Sequence, residues 1–313
     1  MLPISAVLQT PAEPSSLFTL GDAVTEYIGF LASFGVFGAL GFRYAVLRGP
    51  HAAPAFAGGL GGGGEAGVYA RAERGAARIG IVGALLLLVN IAFSLWQRAA
   101  ERHLTLADAA ARGGARLLAV VVFALLFLVV FTAALRGARG AWTAAAILGV
   151  AFVLRDVVSL RWKAEVNPLH ETAASLWIGT LFVVVAAGLP AVLYAASPRE
   201  RRGPLVADMI GRFSPLALGA AALLLLTGLT TAWLHLKRLS ALWTTPYGLT
   251  LIAKLCVVAI VAALGAWNWR RMRPRLGGEE AAHAIRRTAS TELAVAAVVL
   301  ALTAVLVSLP SPR

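Results

Sequence analysis

Eight long apolar runs restrict the folds open to this chain more than any other feature of its sequence. Each run has roughly the 20 mostly apolar residues that an α-helix needs to cross a hydrocarbon core of about 30 Å. Only 14% of the 313 residues are charged, against about 25% in a soluble domain, and this deficit extends along the whole chain. We therefore predict an all-α polytopic membrane protein with eight transmembrane helices in the lipid bilayer. The runs lie at approximately 23–47, 78–99, 115–136, 140–160, 170–196, 211–236, 245–270 and 289–310.

The basic residues predict how the chain is oriented. The net charge is +13, but Lys and Arg lie between the apolar runs and form no continuous polar face. They therefore indicate orientation in a membrane and not nucleic-acid binding. Counted over the connections and the adjoining helix ends, 17 Lys and Arg lie on the side that includes 48–77, 197–210 and 271–288, and 10 lie on the other side. Because positive residues favour the cytoplasmic side, both termini are predicted to lie outside.

Three segments are predicted from the order of the runs. Residues 1–22 contain no Lys or Arg and form a polar N-terminal tail without the positive region of a cleavable signal peptide. Residues 23–160 form a first four-helix half and residues 161–313 a second. The long connection 48–77 contains "GGLGGGGEAG" and is predicted to be a flexible loop.

Two histidines lie at the same predicted end of neighbouring helices. The stretch "NPLHETAASLWIGTLF" places His170 and Glu171 at the start of the fifth run. In the sixth run Thr227, Thr231 and His235 are spaced i, i+4, i+8 and share one face. A short connection predicts that the two helices are antiparallel neighbours, with His170 and His235 at similar depth.

These two imidazoles leave three interpretations open. They could hold one copper ion, with an oxygen of Glu171 as a further ligand, or they could ligate one haem from both sides. Imidazole suits copper, zinc and iron, so the ligand type does not choose among them. Alternatively, the histidines meet headgroups and water, and the threonines donate to carbonyls of their own helix.

The seventh run contains a lysine that needs an explanation. At about 100° per residue, Tyr247, Lys254 and Asn268 lie close to one face of that helix. A charged residue inside the bilayer costs about 2.5–3.5 kcal/mol on insertion scales, so we expect Lys254 to have a partner, either as a structural ion pair or on a transport pathway. The candidate partners are Asp156, Glu171 and Asn90. Glu292, at the start of the eighth run, is predicted to pair with nearby arginines as a structural acid.

The sequence gives no support for an enzyme. It contains no Ser/His/Asp set, no HExxH motif and no evident pair of catalytic carboxylates. Its single cysteine, Cys256, lies in an apolar run, so there is no CxxC metal site.

Several short motifs, in order and spacing, resemble the copper resistance protein D (CopD) family over approximately residues 165–310. A histidine leads into Trp-x-Gly, an Arg-Phe-Ser sequence opens the sixth helix, "TTPYG" precedes "LIAK", and "NWRRMRPRL" and "TEL" follow. The residues that carry these motifs are His170, Trp177, Gly179, Tyr247, Gly248, Lys254, Asn268, Pro274 and Glu292.

The resemblance implies a non-enzymatic role in copper tolerance and in copper movement across the bacterial inner membrane, beside a periplasmic copper-binding partner. From the residue spacing together with this resemblance, we predict that His170 and His235 capture copper at the outer face, and that Thr227, Thr231 and Lys254 line or support the route inward. The alternatives are a haem-binding membrane electron carrier and a non-catalytic subunit of a larger membrane complex.

Overall fold

A computed structural model describes residues 20–47, 65–159, 167–194, 199–236, 240–245, 248–249, 251–253, 255–256, 258–260 and 263. Every regular element in these residues is helical. The elements are α1 (Leu20–Gly41, extended by a π-helical turn, Phe42–Val46), α2 (Glu65–Glu101), α3 (Leu106–Leu135), α4 (Ala141–Ser159), α5 (167–193), α6 (Arg199–Leu236) and the short α7 (Ala241–Thr244). Helix α5 alternates α-helical and π-helical segments: Asn167–Ala174, then the π turn Ser175–Gly179, then Thr180–Val183, a second π turn Val184–Gly188, and Leu189–Leu193.

Five described helices are long and apolar enough to cross a membrane, which makes the chain a multi-pass membrane protein. These spans are Gly21–Val46, Glu65–Glu101, Leu106–Leu135, Pro168–Leu193 and Arg202–Thr230. Helix α4 coincides with the predicted fourth run, but its apolar part, Ala141–Arg155, is shorter. The eighth run and most of the seventh lie outside the described residues, so the total of eight spans stays a prediction.

The predicted starts of α2 and α6 are wrong by several turns. Helix α2 begins at Glu65 and not at 78, so the predicted loop 48–77 is helical from residue 65 onward. Helix α6 begins at Arg199 and not at 211, with two prolines inside it. Both extensions are polar, and hydropathy detects only the apolar part of a helix.

Polar contacts hold these extensions against their neighbours. The guanidinium of Arg43, at the end of α1, donates to Glu73 of α2 at 3.1 Å. Asp208 of α6 accepts from the hydroxyl of Tyr69 of α2 at 3.0 Å and from Arg212 at 2.8 Å. The chain therefore continues as helix beyond the apolar segments because charged side chains there have partners.

Helix α3 has a bend at the point where the predicted third run begins. Gly114 has a φ of 51° inside α3, a conformation that glycine adopts without steric penalty. The hydroxyl of Thr105 accepts from the amide of Asp108 at 3.1 Å and caps the first arm. The apolar second arm corresponds to the predicted span, and the polar first arm was not predicted.

Helix α1 lies at the centre of the bundle, between α2 and α5. Its glycines allow close approach on both sides, because a Cβ at Gly35 would lie 2.7 Å from the Cα of Gly83, and one at Gly38 would overlap the backbone of Gly179. Small residues at such crossings are typical of helix packing in membranes. The α1–α5 crossing joins the two predicted four-helix halves.

Large apolar side chains cover the outside of the bundle as well as its interior. Leu218 and Leu225 of α6 are 71% and 73% exposed, although side chains of this size bury readily in a protein core. On a chain with five candidate spanning helices, an exposed apolar surface of this kind suits contact with lipid or with further membrane helices.

Candidate functional site

The predicted site residues that the structure describes lie at one end of the bundle, which we call the His170 end. Here α1 and α5 begin, and α2 and α6 end. The contacts that define it join Thr25 of α1 to Gln97 of α2, and His170 of α5 to Thr227 of α6. The predicted antiparallel pairing of the fifth and sixth helices is therefore present.

His170 contacts the threonine stripe predicted on α6. Its Nδ1 lies 2.9 Å from the Oγ1 of Thr227. The same hydroxyl lies 2.7 Å from the carbonyl oxygen of Leu223, to which it donates. A hydroxyl has a single proton, so the Thr227 oxygen accepts from Nδ1–H of His170. This arrangement fits the neutral tautomer that carries its proton on Nδ1 and its lone pair on Nε2.

Gly228 makes room for the imidazole beside Thr227. A Cβ built at Gly228 would lie 3.2 Å from Cε1 of His170 and 3.7 Å from its Nδ1. Thr227 and Gly228 thus form a seat for the ring, in which one residue accepts a hydrogen bond and the next leaves space. Gly228 was missed at the sequence level, because a glycine in an apolar helix carries no sign of which side chain lies against it.

Glu171 is directed toward a different helix. The hydroxyl of Ser33 in α1 donates to Oε1 of Glu171 at 2.6 Å. Successive residues of an α-helix are about 100° apart, so Glu171 meets α1 while His170 meets α6. Ser33 was also missed, since only the packing of α1 against α5 brings it to Glu171. The participation of Glu171 in a shared ligand set stays a prediction.

Side-chain hydrogen bonds that include two carboxylates join α1 to α2 at the same end. The side-chain amide of Gln97 donates to Asp22 at 2.8 Å and to Glu101 at 2.9 Å. The hydroxyl of Thr25 lies 3.0 Å from the amide oxygen of Gln97. Arg98 and Arg102 lie at the same end of α2 as Glu101, so side chains of both charges surround the His170 end.

Asn90 of α2 has an unpartnered polar atom. Its Oδ1 is buried and has no hydrogen-bond partner among the described residues. Its Nδ2 lies 3.2 Å from the position of a Cβ at Gly29 of α1. Asn90 was predicted as a possible partner of Lys254, which lies outside the described residues.

The remaining predicted site residues have no described side chain. His235 and Thr231 belong to α6, but the structure describes only their helical backbone. At a rise of 1.5 Å per residue, the Cα of His235 lies about 12 Å beyond that of Thr227 along the axis. An ion shared with His170 would therefore have to lie between these two levels. Tyr247, Lys254, Asn268 and Glu292 lie outside the described residues.

No group of three or more His, Cys, Asp or Glu side chains within the described part of the chain is arranged to hold a metal ion. The described arrangement supplies one oriented imidazole. A second ligand, such as the carboxylate of Glu171 or a side chain outside the described residues, stays a prediction.

Residues 207–306 match the family model of copper resistance protein D. The resemblance inferred from the motifs is thus confirmed over this segment, which contains Thr227 and Gly228 and begins after His170. The chain is also 32% identical over 146 residues to the copper transport protein CutJ of Bacillus subtilis (strain 168), a match that covers 46% of this chain. The chain spans a quarter of that relative's length, 25%. No solved structure matches the chain. Together these matches support a copper-related membrane protein.

Proposed function

We propose that this chain takes up or handles copper in the bacterial inner membrane and receives the ion at the periplasmic face without catalysing a reaction. Two findings support the copper assignment: the match of residues 207–306 to the copper resistance protein D family and the similarity to a protein named for copper transport. The excess of basic residues at the other end of the bundle supports the orientation.

One observation carries the proposal, namely the hydrogen bond between His170 and Thr227. It orients the ring and keeps the proton on Nδ1, so Nε2 is the nitrogen with a lone pair for a metal. Histidines that ligate metals almost always donate their other N–H to a fixed acceptor, which sets the tautomer and the ring orientation. Imidazole is a suitable ligand for copper.

The other predicted residues complete the proposal. His235 would supply a second imidazole and Glu171 an oxygen, while Thr231 and Lys254 would line or support the route inward. A periplasmic copper-binding protein would deliver the ion to this end. In this scheme Tyr247, Asn268 and Glu292 have structural or pathway roles.

The test is the amount of copper bound to the purified full chain, in detergent or nanodiscs. We compare the wild-type chain with His170→Ala and with the His170→Ala/His235→Ala double variant. The matched control is His103→Asn, because His103 is an exposed histidine near the same end. Asparagine is chosen because the φ of His103 is 50°, a left-handed conformation that asparagine tolerates better than alanine.

We expect near-stoichiometric copper in the wild type and in the control, and a loss in His170→Ala. Equal copper in all variants would refute His170 as a ligand. A Soret band in the purified wild type that disappears in the double variant would favour haem. Unchanged metal content together with unchanged copper tolerance in cells would favour a non-catalytic subunit of a larger complex.

A further inference from the structure

Helix α5 contains two π-helical turns, and the first lies just after the segment that carries His170 and Glu171. The turns span Ser175–Gly179 and Val184–Gly188. In the second turn, the amide of Leu189 donates to the carbonyl of Val184, five residues earlier. A π turn holds one more residue than the α-helical turn it replaces, and such turns are frequent at functional sites.

Hydroxyls in the described helices commonly donate to the carbonyl four residues earlier. This contact is present for Thr25, Ser94, Thr172, Ser214, Thr227 and Thr230, at distances of 2.6–3.0 Å. The buried hydroxyls without any partner in the described part of the chain are those of Ser175 and Thr180. Both side chains are 0% exposed, and they lie at the two ends of the first π turn.

Two features distinguish Thr180 from the other threonines: its hydroxyl lies against Gly41 of α1, and a π turn precedes it. The carbonyl four residues before it belongs to Leu176, which lies inside the π turn. The wider turn moves this carbonyl away from its α-helical position relative to residue 180. A buried hydroxyl without a partner is unfavourable. In the observed register Thr180 lacks the hydrogen bond to the carbonyl of Leu176 that α-helical geometry would allow.

We propose that α5 switches between two registers at residues 175–179, one with the π turn and one fully α-helical. The α-helical turn has room for one residue fewer. If the helix after Thr180 stays in place, the segment Asn167–Ala174 therefore shifts by one residue, a rotation of about 100° and a movement of about 1.5 Å.

The switch exchanges the side chains that face α1 and α6. In the α-helical register each site is occupied by the next residue along the chain. Glu171 replaces His170 beside Thr227, and Thr172 replaces Glu171 beside Ser33. Polar side chains replace polar side chains at both sites, so neither register leaves an apolar group against these hydroxyls.

Glycines lie against α5 at two positions near this turn. A Cβ at Gly38 of α1 would overlap the backbone of Gly179, and a Cβ at Gly228 of α6 would lie 3.2 Å from Cε1 of His170. The inference does not depend on copper. If the proposed function is correct, the same rotation carries the imidazole of His170 away from Thr227 and brings a carboxylate in its place.

Disulfide trapping tests the two registers directly. The native cysteine is first removed as Cys256→Ser. Three pairs then share Ser33→Cys: Glu171→Cys, which reports the π register, Thr172→Cys, which reports the α-helical register, and His170→Cys, which neither register brings to Ser33. A disulfide needs its two Cα atoms within about 7 Å. Diamide serves as the oxidant because it introduces no copper, which keeps this result separate from the test of the proposed function.

We expect the pairs at 171 and 172 to cross-link about tenfold faster than the pair at 170, because neither register brings residue 170 within disulfide geometry of Ser33. Adding Thr180→Val to the pair at 172 removes the hydrogen bond that favours the α-helical register. It should slow that cross-link about fivefold, the effect of one ordinary hydrogen bond. Thr230→Val, which removes a hydroxyl already bonded within α6, should change nothing.

Two results would overturn the inference. In one, the pair at 172 cross-links no faster than the pair at 170, so only one register exists. In the other, Thr180→Val and Thr230→Val affect the pair at 172 equally, so the unpartnered hydroxyl has no influence on the register.

Discussion

Replacing Gly228 with alanine perturbs the candidate site with a single methyl group. The new Cβ would lie 3.2 Å from Cε1 of His170, closer than ordinary van der Waals contact. The ring must therefore move by a few tenths of an ångström. Such a movement would lengthen the 2.9 Å contact between Nδ1 and Thr227 to about the upper limit for N–H···O hydrogen bonds, 3.2 Å.

The magnitude follows from what that hydrogen bond does. Its net contribution is about 0.5–1.5 kcal/mol, and losing a group that orients a metal-ligating histidine typically weakens metal binding about 10–100-fold. Because Gly228→Ala weakens the contact without removing it, we expect copper affinity to fall about tenfold. The effect on stability has the opposite sign, since alanine favours a helix over glycine by about 1 kcal/mol.

The assay is competition for Cu(I) between the purified chain and a chromophoric chelator, with thermal unfolding measured on the same samples. Gly219→Ala is the matched control, because Gly219 lies in the same helix and nothing lies within 4 Å of a Cβ there. The control should gain the same helix propensity and bind copper as the wild type does. Equal copper affinity in Gly228→Ala and Gly219→Ala would refute the close contact between Gly228 and the ring of His170. A copper loss that merely follows a lower unfolding temperature would refute it as well.

Two further predictions follow from the same contacts. Thr227→Val removes the acceptor for Nδ1–H of His170 and should lower copper affinity about 10–100-fold, whereas Thr227→Ser should keep most of it; ¹⁵N shifts of the His170 ring in copper-free protein would report the loss of the Nδ1–H tautomer. Gly38→Ala places a Cβ into the backbone of Gly179 and should destabilise the bundle by about 1–3 kcal/mol. Thermal unfolding in detergent measures this, and a midpoint equal to that of Gly219→Ala would contradict the close crossing.

The apolar parts of the spans were predicted well, because the composition of each run is sufficient to identify it. A helix that crosses a bilayer needs roughly 20 mostly apolar residues, so composition alone locates it. The helix ends were not predicted, because the first turns of α2 and α6 are polar. Their helical state depends on contacts such as Arg43 with Glu73 and Tyr69 with Asp208.

The candidate site was predicted in part. The sequence placed His170 at a helix start and Thr227 on a polar face of the next helix, and the antiparallel pairing that brings them together was inferred from a short connection. The hydrogen bond, the assigned tautomer and the space left by Gly228 depend on the rotation of each helix about its axis. The two π turns in α5 alter that rotation, and no residue pattern in the chain predicted them.

The sequence by itself determined that this chain is helical and crosses a membrane, and its motifs were sufficient to identify the copper resistance resemblance. These properties depend on residue type and spacing along one helix, where neighbours are set by a fixed rise and turn. The tertiary structure decided which residues face one another: Ser33 with Glu171, Gly38 with Gly179, and Thr227 with His170. A contact between helices depends on their register and rotation, which arise from packing all the helices at once.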